Sequence, residues 1–238
     1  MRILATLPTY NEARNILPLV EALLAISPCL EVLVIDDNSP DGTWKLVAEK
    51  CAAEPRVHLL HRTADRGRGT AGVAGFQKAL DLGADLIVEM DADWSHHPRF
   101  LPRMLKATES ADVVIGSRLV TGGGETGRRG IRKLITLAAN LYIRILLRLP
   151  IRDCTSGYRI FRRPVLEGID WSRVNSRGPA LVQEILVAAK AQNATFAEVP
   201  ILFEERRAGQ STFNLKILLA GLLAQWRFLF RQPPVYVL

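Results

Sequence analysis

The chain has 238 residues, 48% of them hydrophobic and 23% charged, so it can bury the core of one large domain or two small ones and is not disordered. Its three scattered cysteines exclude a disulfide framework, and none forms the close pair of a zinc or redox site. The net charge of +7 is uneven, because residues 118–163 hold eleven Lys or Arg against two acids, and this segment predicts an anionic partner.

The first half of the sequence alternates short apolar runs with segments of helical periodicity. Near-continuous apolar strands separated by helices are typical of a parallel sheet covered on both faces. We therefore predict an α/β fold with a mostly parallel central sheet and helices on both faces. The predicted strands are 3–7, 31–35, 57–61, 85–90 and 112–115, and the predicted helices are 15–26, 42–53, 70–82 and 98–109.

The second half departs from this alternation. Residues 119–132, rich in Gly and Arg, are predicted to form a loop, and helices are predicted over 133–149, 179–190 and 215–230. The apolar run 195–203 is predicted to be an edge strand, because Pro200 cannot donate a backbone hydrogen bond. Without repeats or a low-complexity linker, we expect one domain over 1–213 and a C-terminal amphipathic helical extension over 214–238.

The stretch 215–230 is the most apolar predicted helix of the chain. It is about a turn shorter than the roughly 20 residues that span a bilayer, and it contains Gln225 and Arg227. Trp226 and Phe230 beside basic residues suit the headgroup boundary of a membrane, so an interfacial helix is one interpretation. An ordinary helix packed on the sheet is equally compatible with the sequence.

Polar motifs follow four of the predicted strands at the point where each strand ends. They occupy 8–12, 36–42, 91–93 and 116–118 and read PTYNE, DDNSPDG, DAD and GSR. Ligands bind at the carboxyl ends of the strands in an open parallel sheet, so we expect these motifs to meet at one edge. Their convergence predicts a ligand site more strongly than any one motif does.

Asp91 and Asp93 form the sharpest of these motifs. Carboxylates are hard oxygen ligands suited to Mg²⁺ or Mn²⁺, and two of them leave coordination positions for water and a substrate phosphate. A metal bound there would neutralise charge on a departing diphosphate. His96 and His97 follow closely, but adjacent histidines point in different directions and fit a loop as well as a metal site.

Other residues near the strand ends are candidate ligands for a nucleotide. Glu12 and Asp37 are the better candidates to accept hydrogen bonds from a ribose or a base edge, whereas Asp36 is interpreted as structural. Residues 41–43 are interpreted as a turn that begins a helix. The segment 66–70, RGRGT, is predicted to be a glycine-rich turn before a helix N-terminus, a geometry that receives anions, although it matches neither a dinucleotide fingerprint nor an ATPase loop.

Arg118, Arg132 and Arg206 lie near glycine-rich sequence, and arginine binds phosphate through paired hydrogen bonds. A solvated surface charge is the alternative interpretation for each of them. Ser156 in the segment DCTSGYR lacks the surroundings of a serine nucleophile, so we do not expect it to attack a substrate.

The motifs PTYNE, DDNSPDGT, RGRGTAG, MDADWSHHP, GSR, DCTSGYRIFR and RRAGQST follow the order seen in polyprenol-phosphate (dolichol-phosphate) mannose synthases. From about residue 3 to residue 214 the chain resembles this branch of inverting glycosyltransferase family 2, which has the GT-A fold. The resemblance implies that 1–213 is a catalytic domain. It also implies transfer of mannose from GDP-mannose to the phosphate of a polyprenol such as dolichol phosphate, an anion that needs no strong general base.

The resemblance also implies roles for matching residues. Asp91 and Asp93 would hold a divalent metal, Mg²⁺ or Mn²⁺, and the diphosphate. The nucleotide pocket for guanine and ribose would be lined by Pro8, Tyr10, Glu12 and Asp37, and the acceptor phosphate or donor diphosphate would be held by Arg118, Arg132 and Arg206. The chain departs from the family at Ser95, where some members place a metal-binding Gln, and at Thr212, which replaces a common Lys.

The resemblance implies a place in the cell as well. No transmembrane pair follows the catalytic region, and Asn11 and Glu12 come too early for a secretory signal, so a peripheral protein on the cytoplasmic face of a membrane is expected. The basic segment 118–163 would then face the headgroups and the lipid phosphate. A small membrane-anchoring subunit is a candidate partner.

Two alternatives remain open at the level of sequence. The motifs do not separate guanine from uracil, so transfer of glucose or another sugar from a UDP-sugar to the same acceptor is the first. A non-catalytic protein that binds anions or nucleic acid is the second. The basic segment permits nucleic acid, but it has few interleaved aromatics and no recognised motif, so nucleic acid is not expected as a partner.

Overall fold

The computed structural model describes residues 1–126, 130–204 and 225–236, apart from the side chains of residues 131, 132 and 229. A seven-stranded sheet lies at its centre. The strands of this sheet are β1 (Ile3–Thr9), β2 (Leu30–Asp36), β3 (Val57–His61), β4 (Leu86–Glu89), β5 (Val113–Ser117), β7 (Arg159–Arg162) and β8 (Phe196–Pro200), and a separate pair consists of β6 (Gly124–Glu125) and β9 (Leu202–Phe203).

Helices cover both faces of the sheet, as the alternation of the sequence predicts. They are α1 (Ile16–Leu24), α2 (Thr43–Ala53), α3 (Arg68–Asp81), α4 (Leu101–Ala107), α5 (Gly130–Leu147), α6 (Arg163–Glu167), α7 (Leu181–Ala191) and α8 (Arg227–Phe230), with short 3₁₀ helices at Pro98–Phe100 and Trp171–Arg173. The predicted mostly parallel α/β architecture is confirmed.

The strand order is β3-β2-β1-β4-β7-β5-β8. The four neighbouring strands β3, β2, β1 and β4 are all parallel to one another, and β5 is parallel to β8. The carboxyl ends of β1, β2 and β4 therefore meet at one edge of the sheet. This is the edge at which an open α/β sheet binds its ligands.

The sequence analysis predicts no strand between the helices at 133–149 and 179–190, and β7 corrects this expectation. This short strand is antiparallel to both β4 and β5. Its first residue, Arg159, is fully buried and pairs in register with Glu89 of β4. Because that partner lies far away in the sequence, the local pattern of charged and apolar residues does not reveal a central strand.

Successive residues of a strand point to opposite faces, so the sheet divides two hydrophobic layers. Ala5 and Leu7 of β1 belong to the layer that includes Leu19 of α1, whereas Leu4 belongs to the layer that includes Phe76 of α3. These residues are fully buried. Burial on both faces explains why the parallel strands read as near-continuous apolar runs.

Two elements of the second half differ from their predicted limits. The predicted loop 119–132 contains β6, which pairs with β9, and the first turn of α5, which begins at Gly130. The pairing with β9 is remote in sequence, so a Gly-rich stretch gives no local signal for it. The predicted edge strand is confirmed, because β8 closes one end of the sheet and Pro200 is its last residue.

Residues 215–224 of the predicted C-terminal helix lie outside the described residues, as do residues 214, 237 and 238 of the predicted extension and the predicted domain boundary at 213–214. The described part of this extension packs on the rest of the fold. Gln225 Nε2 donates to Gln183 Oε1 of α7 at 3.4 Å, and the Asp170 N–H donates to the Pro234 carbonyl at 3.0 Å. No helix within the described ranges combines the length and apolarity needed to cross a bilayer.

Candidate active site

A cleft of about 460 Å³ opens at the carboxyl ends of β1, β2 and β4. It brings together six residues predicted to bind the nucleotide or the metal, namely Pro8, Tyr10, Glu12, Asp37, Asp91 and Asp93. The cleft is also lined by Arg66 and Gly67, which precede α3, and by Arg68, its first residue. Three of the four predicted strand-end motifs, at 8–12, 36–42 and 91–93, therefore meet in the structure, whereas the fourth, at 116–118, does not line this cleft.

Asp91 lies between a cation and an imidazole on the floor of this cleft. Its Oδ1 is 2.5 Å from Nη2 of Arg68, and its backbone N–H donates to Nδ1 of His96 at 2.9 Å. The charge of Asp91 raises the pKa of Arg68. Since His96 Nδ1 accepts a hydrogen bond, the ring carries its proton on Nε2 when neutral.

His96 is buried and stacks on Tyr158, with ring centroids 5.2 Å apart. Burial lowers the pKa of His96, and this effect outweighs the opposing charges of Asp91 and Asp93. His97 accepts from the Arg99 N–H at 3.1 Å and caps a 3₁₀ helix. Both histidines thus shape the loop that follows the acidic pair.

Asp93 is buried, and its Oδ1 accepts from the N–H of Ser95 at 3.1 Å and from the hydroxyl of Ser95 at 2.6 Å. Trp94 between them has a φ of +69°, which is a genuine outlier for a bulky side chain and marks a constrained loop. Ser95 therefore fixes the carboxylate of Asp93, which lines the cleft.

The donor set of this loop fits a divalent cation. Among the described residues, no three or more His, Cys, Asp and Glu side chains gather into a metal-binding group. Asp91 and Asp93 supply two hard carboxylate donors beside a cleft that opens to solvent. Mg²⁺ and similar ions are commonly held by one or two carboxylates, with water and substrate phosphate completing the shell.

Asp37 ties the glycine-rich turn to the sheet. Its Oδ1 is 2.8 Å from Nη1 of Arg62, and its Oδ2 accepts from the N–H of Gly67 at 2.6 Å. Arg62 also donates to the hydroxyl of Thr70 at 2.9 Å. The sequence prediction omitted Arg62, although it directly follows the third strand, and the strand-end rule applied there would have found it.

The predicted turn before a helix N-terminus is confirmed at residues 66 and 67, but α3 already begins at Arg68, so residues 68–70 of the predicted turn belong to the helix. Gly67 has a φ of +139°, which favours glycine. A Cβ on Gly69 would lie 2.4 Å from the carbonyl carbon of Arg177, so the close approach of two backbones requires glycine at that position as well. The dipole of a helix N-terminus attracts anions, and at this one the N–H of Gly69 donates to the Arg177 carbonyl at 3.1 Å.

Asp36 and Asp41 have the structural roles that the sequence suggests. Asp36 is fully buried and accepts from the N–H and the hydroxyl of Ser39, at 2.8 and 2.6 Å. Asp41 accepts from the N–H of Thr43 at 3.0 Å and so holds the turn that begins α2. Ser156 donates its hydroxyl to the Gly116 carbonyl at 2.6 Å, which likewise gives it a structural role.

The prediction that Arg118 holds a phosphate needs correction. Its Nε and Nη2 donate to the two carboxylate oxygens of Asp153 at 2.7 Å each, Nη2 also donates to Thr155, and Nη1 donates to Glu125 at 3.1 Å. Burial alone would lower the pKa of Arg118, but Asp153 and Glu125 outweigh it and raise that pKa. The guanidinium is thus buried against protein carboxylates. The side chain of Arg132 and all of Arg206 lie outside the described residues.

A second buried ion pair lies beneath the acidic loop. Arg159 contacts the carboxylate of Glu89, the residue that ends β4, and donates to the Val182 carbonyl at 2.9 Å. Burial lowers the pKa of Arg159, and the neighbouring carboxylate of Glu89 opposes this shift. No sequence signal marked this pair, because a charged residue inside a short segment is normally read as exposed.

A mostly parallel sheet with a nucleotide-sized cleft and an acidic pair at its carboxyl edge is the GT-A architecture of glycosyltransferases. The comparisons with known proteins agree, since residues 5–170 match the model of glycosyl transferase family 2. The chain belongs to this family and is a glycosyltransferase.

Two curated relatives align with most of the chain. It is 41% identical to an undecaprenyl-phosphate mannosyltransferase of Micrococcus luteus, over 95% of this chain and 96% of that protein. It is 44% identical to a polyprenol monophosphomannose synthase of Mycolicibacterium smegmatis, over 90% of this chain and 81% of that protein. The resemblance to polyprenol-phosphate mannose synthases is confirmed.

The fold also matches a solved mannosyltransferase from Pyrobaculum calidifontis in complex with GDP-mannose and Mn²⁺. The TM-score is 0.59 at 21% identity, and the alignment covers 99% of this chain and 66% of that one. This likeness identifies the fold.

Proposed function

We propose that the protein transfers mannose from GDP-mannose to a polyprenyl phosphate, with inversion at the anomeric carbon and with Mg²⁺ or Mn²⁺ as cofactor. The observation that carries the proposal is the meeting of Glu12, Asp37, Asp91 and Asp93 in one cleft. The acceptor class follows from the two curated relatives, both of which are named for mannose transfer to a polyprenol.

The cleft suits a nucleotide sugar in size and chemistry. Its volume of about 460 Å³ falls within the range of ligand pockets in proteins. Tyr10 is 55% exposed at the rim, where its ring can stack on a base, and Glu12 offers a carboxylate to the ribose or the base edge. Asp37 is proposed to take part both as a ligand and by holding Gly67 in place.

The diphosphate is proposed to lie between the acidic pair and the N-terminus of α3. Asp91 and Asp93 would hold the divalent cation there, and a bound cation would stabilise charge on the GDP leaving group. Arg66 and Arg68 line the same cleft, and Arg68 has its guanidinium at the acidic loop. The Pyrobaculum mannosyltransferase holds GDP-mannose and Mn²⁺ on this fold, which supports the choice of donor and metal.

The chemistry requires one displacement. An oxygen of the acceptor phosphate bonds to the anomeric carbon, while the bond from that carbon to the β-phosphate oxygen breaks and its electron pair leaves with GDP. No proton has to be removed from a phosphate anion, so positioning and charge stabilisation supply the catalysis. Arg132 and Arg206 are the proposed phosphate ligands. Arg118 is proposed to act indirectly, by holding the loop that contains Asp153 and Thr155 in place.

We propose that the protein works as a peripheral protein on the cytoplasmic face of a membrane, because its acceptor is a membrane lipid. The small anchoring subunit stays a prediction. The alternative of nucleic-acid binding is weakened because several arginines of the basic segment 118–163 form contacts within the protein. Arg118 and Arg159 are buried in ion pairs, and Arg162 and Arg163 donate to backbone carbonyls.

The test is transfer of radiolabelled mannose from GDP-mannose to a short polyprenyl phosphate, with Mn²⁺ and with EDTA. We expect labelled lipid with the metal and none with the chelator. Thermal-shift titrations with GDP and with UDP, each with Mn²⁺, provide the control for the base. Stabilisation by UDP alone, together with sugar transfer from a UDP-sugar, would replace the proposed donor. Salt-sensitive binding to oligonucleotides without any sugar transfer would overturn the proposal.

A further inference from the structure

The helix α5 carries a stripe of exposed apolar side chains. Leu134, Leu137, Leu141 and Ile145 are 62, 41, 57 and 67% exposed, and they follow one another at intervals of three and four residues. That spacing places them on one side of the helix. Elsewhere in the described chain, the only helix with an exposed large apolar side chain is α8.

The opposite side of α5 anchors the helix to the catalytic domain. Ala139, Ile143 and Leu147 are buried there. Asn140 accepts from the N–H of Cys154 at 2.7 Å and donates to the Thr155 hydroxyl at 3.1 Å. The stripe is therefore the outer face of a fixed element, attached to the loop that binds Arg118.

The charges around the stripe have one sign. Lys133, Arg144 and Arg148 are exposed on α5 or directly after it. No Asp or Glu occurs between Glu125 and Asp153. An amphipathic helix with an apolar face and flanking cations lies in the headgroup region of an anionic bilayer, where each cation adds to binding. Charge complementarity thus selects a negatively charged lipid surface over a neutral one.

The short helix α8 contacts α5, and two exposed aromatic side chains lie on it or at its start. Trp226, at the N-cap of α8, and Phe230 are 46 and 84% exposed and stack on each other with centroids 6.5 Å apart. Trp is enriched where a protein meets the headgroup layer.

We propose that the outer face of α5, with Trp226 and Phe230 beside it, is the surface that docks the protein on an anionic bilayer. Leu134, Leu137, Leu141 and Ile145 enter the boundary between headgroups and acyl chains, and Lys133 and Arg144 contact the anionic headgroups. The proposal names the surface through which the protein would bind the membrane, and its biological meaning rests on the proposed function. Vesicle binding itself requires no sugar transfer, so the two proposals fail separately.

The experiment measures partition of the full chain onto vesicles of phosphatidylcholine alone or mixed with phosphatidylglycerol. The wild type is expected to bind the mixed vesicles, with weak binding to phosphatidylcholine. The double variant Leu141→Gln/Ile145→Gln is expected to lose about tenfold or more in partition coefficient, since two large apolar side chains are removed from the contact. Both positions are more than half exposed, so the melting temperature should not change.

The charge of the surface is tested by the double variant Lys133→Gln/Arg144→Gln. Its partition onto mixed vesicles should fall by about fivefold for each cation removed, while its weak binding to phosphatidylcholine stays the same. The matched control is Arg103→Gln/Lys106→Gln on α4, which removes two exposed cations from another helix. Tyr236→Gln, which changes a 58% exposed aromatic outside α5 and α8, is the apolar control.

Equal partition of the wild type and both α5 variants would overturn the proposal, as would equal binding of the wild type to both kinds of vesicle. Sedimentation equilibrium tests whether a second copy of this chain, rather than a membrane, covers the stripe. A dimer that Leu141→Gln/Ile145→Gln converts to a monomer, without any effect on vesicle binding, would assign the stripe to a second copy of this chain. If the α5 variants lose vesicle binding but still transfer mannose to a short, water-soluble acceptor, the result would support both the docking surface and the proposed function.

Discussion

Arg68 and Asp91 form an ion pair on the floor of the cleft, with 2.5 Å between Nη2 and Oδ1. The guanidinium therefore lies against a carboxylate proposed to hold the metal. Gly157 leaves little spare room behind it, because a Cβ there would lie 3.2 Å from the same Nη2. A cation bound by Asp91 and the charge of Arg68 thus compete for one carboxylate, and Arg68 is placed to turn toward a bound diphosphate instead.

Arg68→Gln is expected to raise the affinity for the metal and to lower the affinity for the nucleotide. Mn²⁺ affinity without nucleotide should rise by up to about fivefold, because a competing, partly exposed ion pair is removed. GDP affinity in the presence of Mn²⁺ should fall, because a guanidinium near the proposed diphosphate is lost. Calorimetric titration measures both. Arg66→Gln, in the same cleft wall, is the control, and a parallel fall of both affinities would refute the competition.

Asp93→Asn is expected to lower the rate of mannose transfer by about 100-fold or more, because a neutral amide is a poor ligand for the cation that stabilises the leaving group. The amide oxygen still accepts from Ser95, so the melting temperature should change little. Asp36→Asn is the matched control, since this buried aspartate also binds a nearby serine but serves the fold. It should lower stability while keeping the response to EDTA. Full activity of Asp93→Asn would end its assignment as a metal ligand.

Gly69→Ala is expected to displace the N-terminus of α3 and with it the turn that lines the cleft. The new Cβ would lie 2.4 Å from the carbonyl carbon of Arg177 and 2.7 Å from the nitrogen of Gly178, so backbone must move. The free energy of unfolding should fall by about 1–3 kcal/mol, as for other overpacked sites. Urea unfolding and GDP titration measure the two effects. Gly178→Ala adds the same methyl group to open space and should leave both unchanged.

The strand-end motifs show how much of the site local sequence reveals. The buried strands of the first half carry strong apolar runs, and the residues that follow β1, β2 and β4 line the cleft, as the rule for parallel sheets predicts. The same rule, applied after β3, would also have found Arg62, but it missed Glu89 and Arg159. Their contacts join positions far apart in the chain, and a local pattern contains no information on such partners.

Arg118 illustrates the opposite error. A basic residue in glycine-rich sequence looks like a phosphate ligand, and the sequence contains nothing that pairs it with Asp153, 35 positions away. The pairing depends on the loop before β7, and β7 itself was not predicted. The fold class was thus predictable from periodicity, whereas charges that neutralise each other inside the fold required the three-dimensional structure.

The Arg118–Asp153 pair predicts how stability depends on pH. Burial would raise the pKa of Asp153, but the hydrogen bonds and charge of Arg118 outweigh burial and hold that pKa below its usual value. The stabilisation that Asp153 provides is therefore complete above its unfolded-state pKa of about 3.9 and is lost as the pH falls below it toward the folded-state pKa.

Asp153→Asn should test this dependence directly. At neutral pH the variant is expected to be less stable by about 3–5 kcal/mol, because the buried guanidinium of Arg118 loses its main partner. The difference from the wild type should shrink below about pH 4, where the carboxylate of the unfolded wild-type chain takes up a proton before that of the folded protein does. Urea unfolding across the pH range measures both quantities. Glu167→Gln is the control, since its exposed pair with Arg163 should contribute less than about 1 kcal/mol at any pH. A stability difference for Asp153→Asn that stays constant into acid would show that the carboxylate charge is not what holds Arg118.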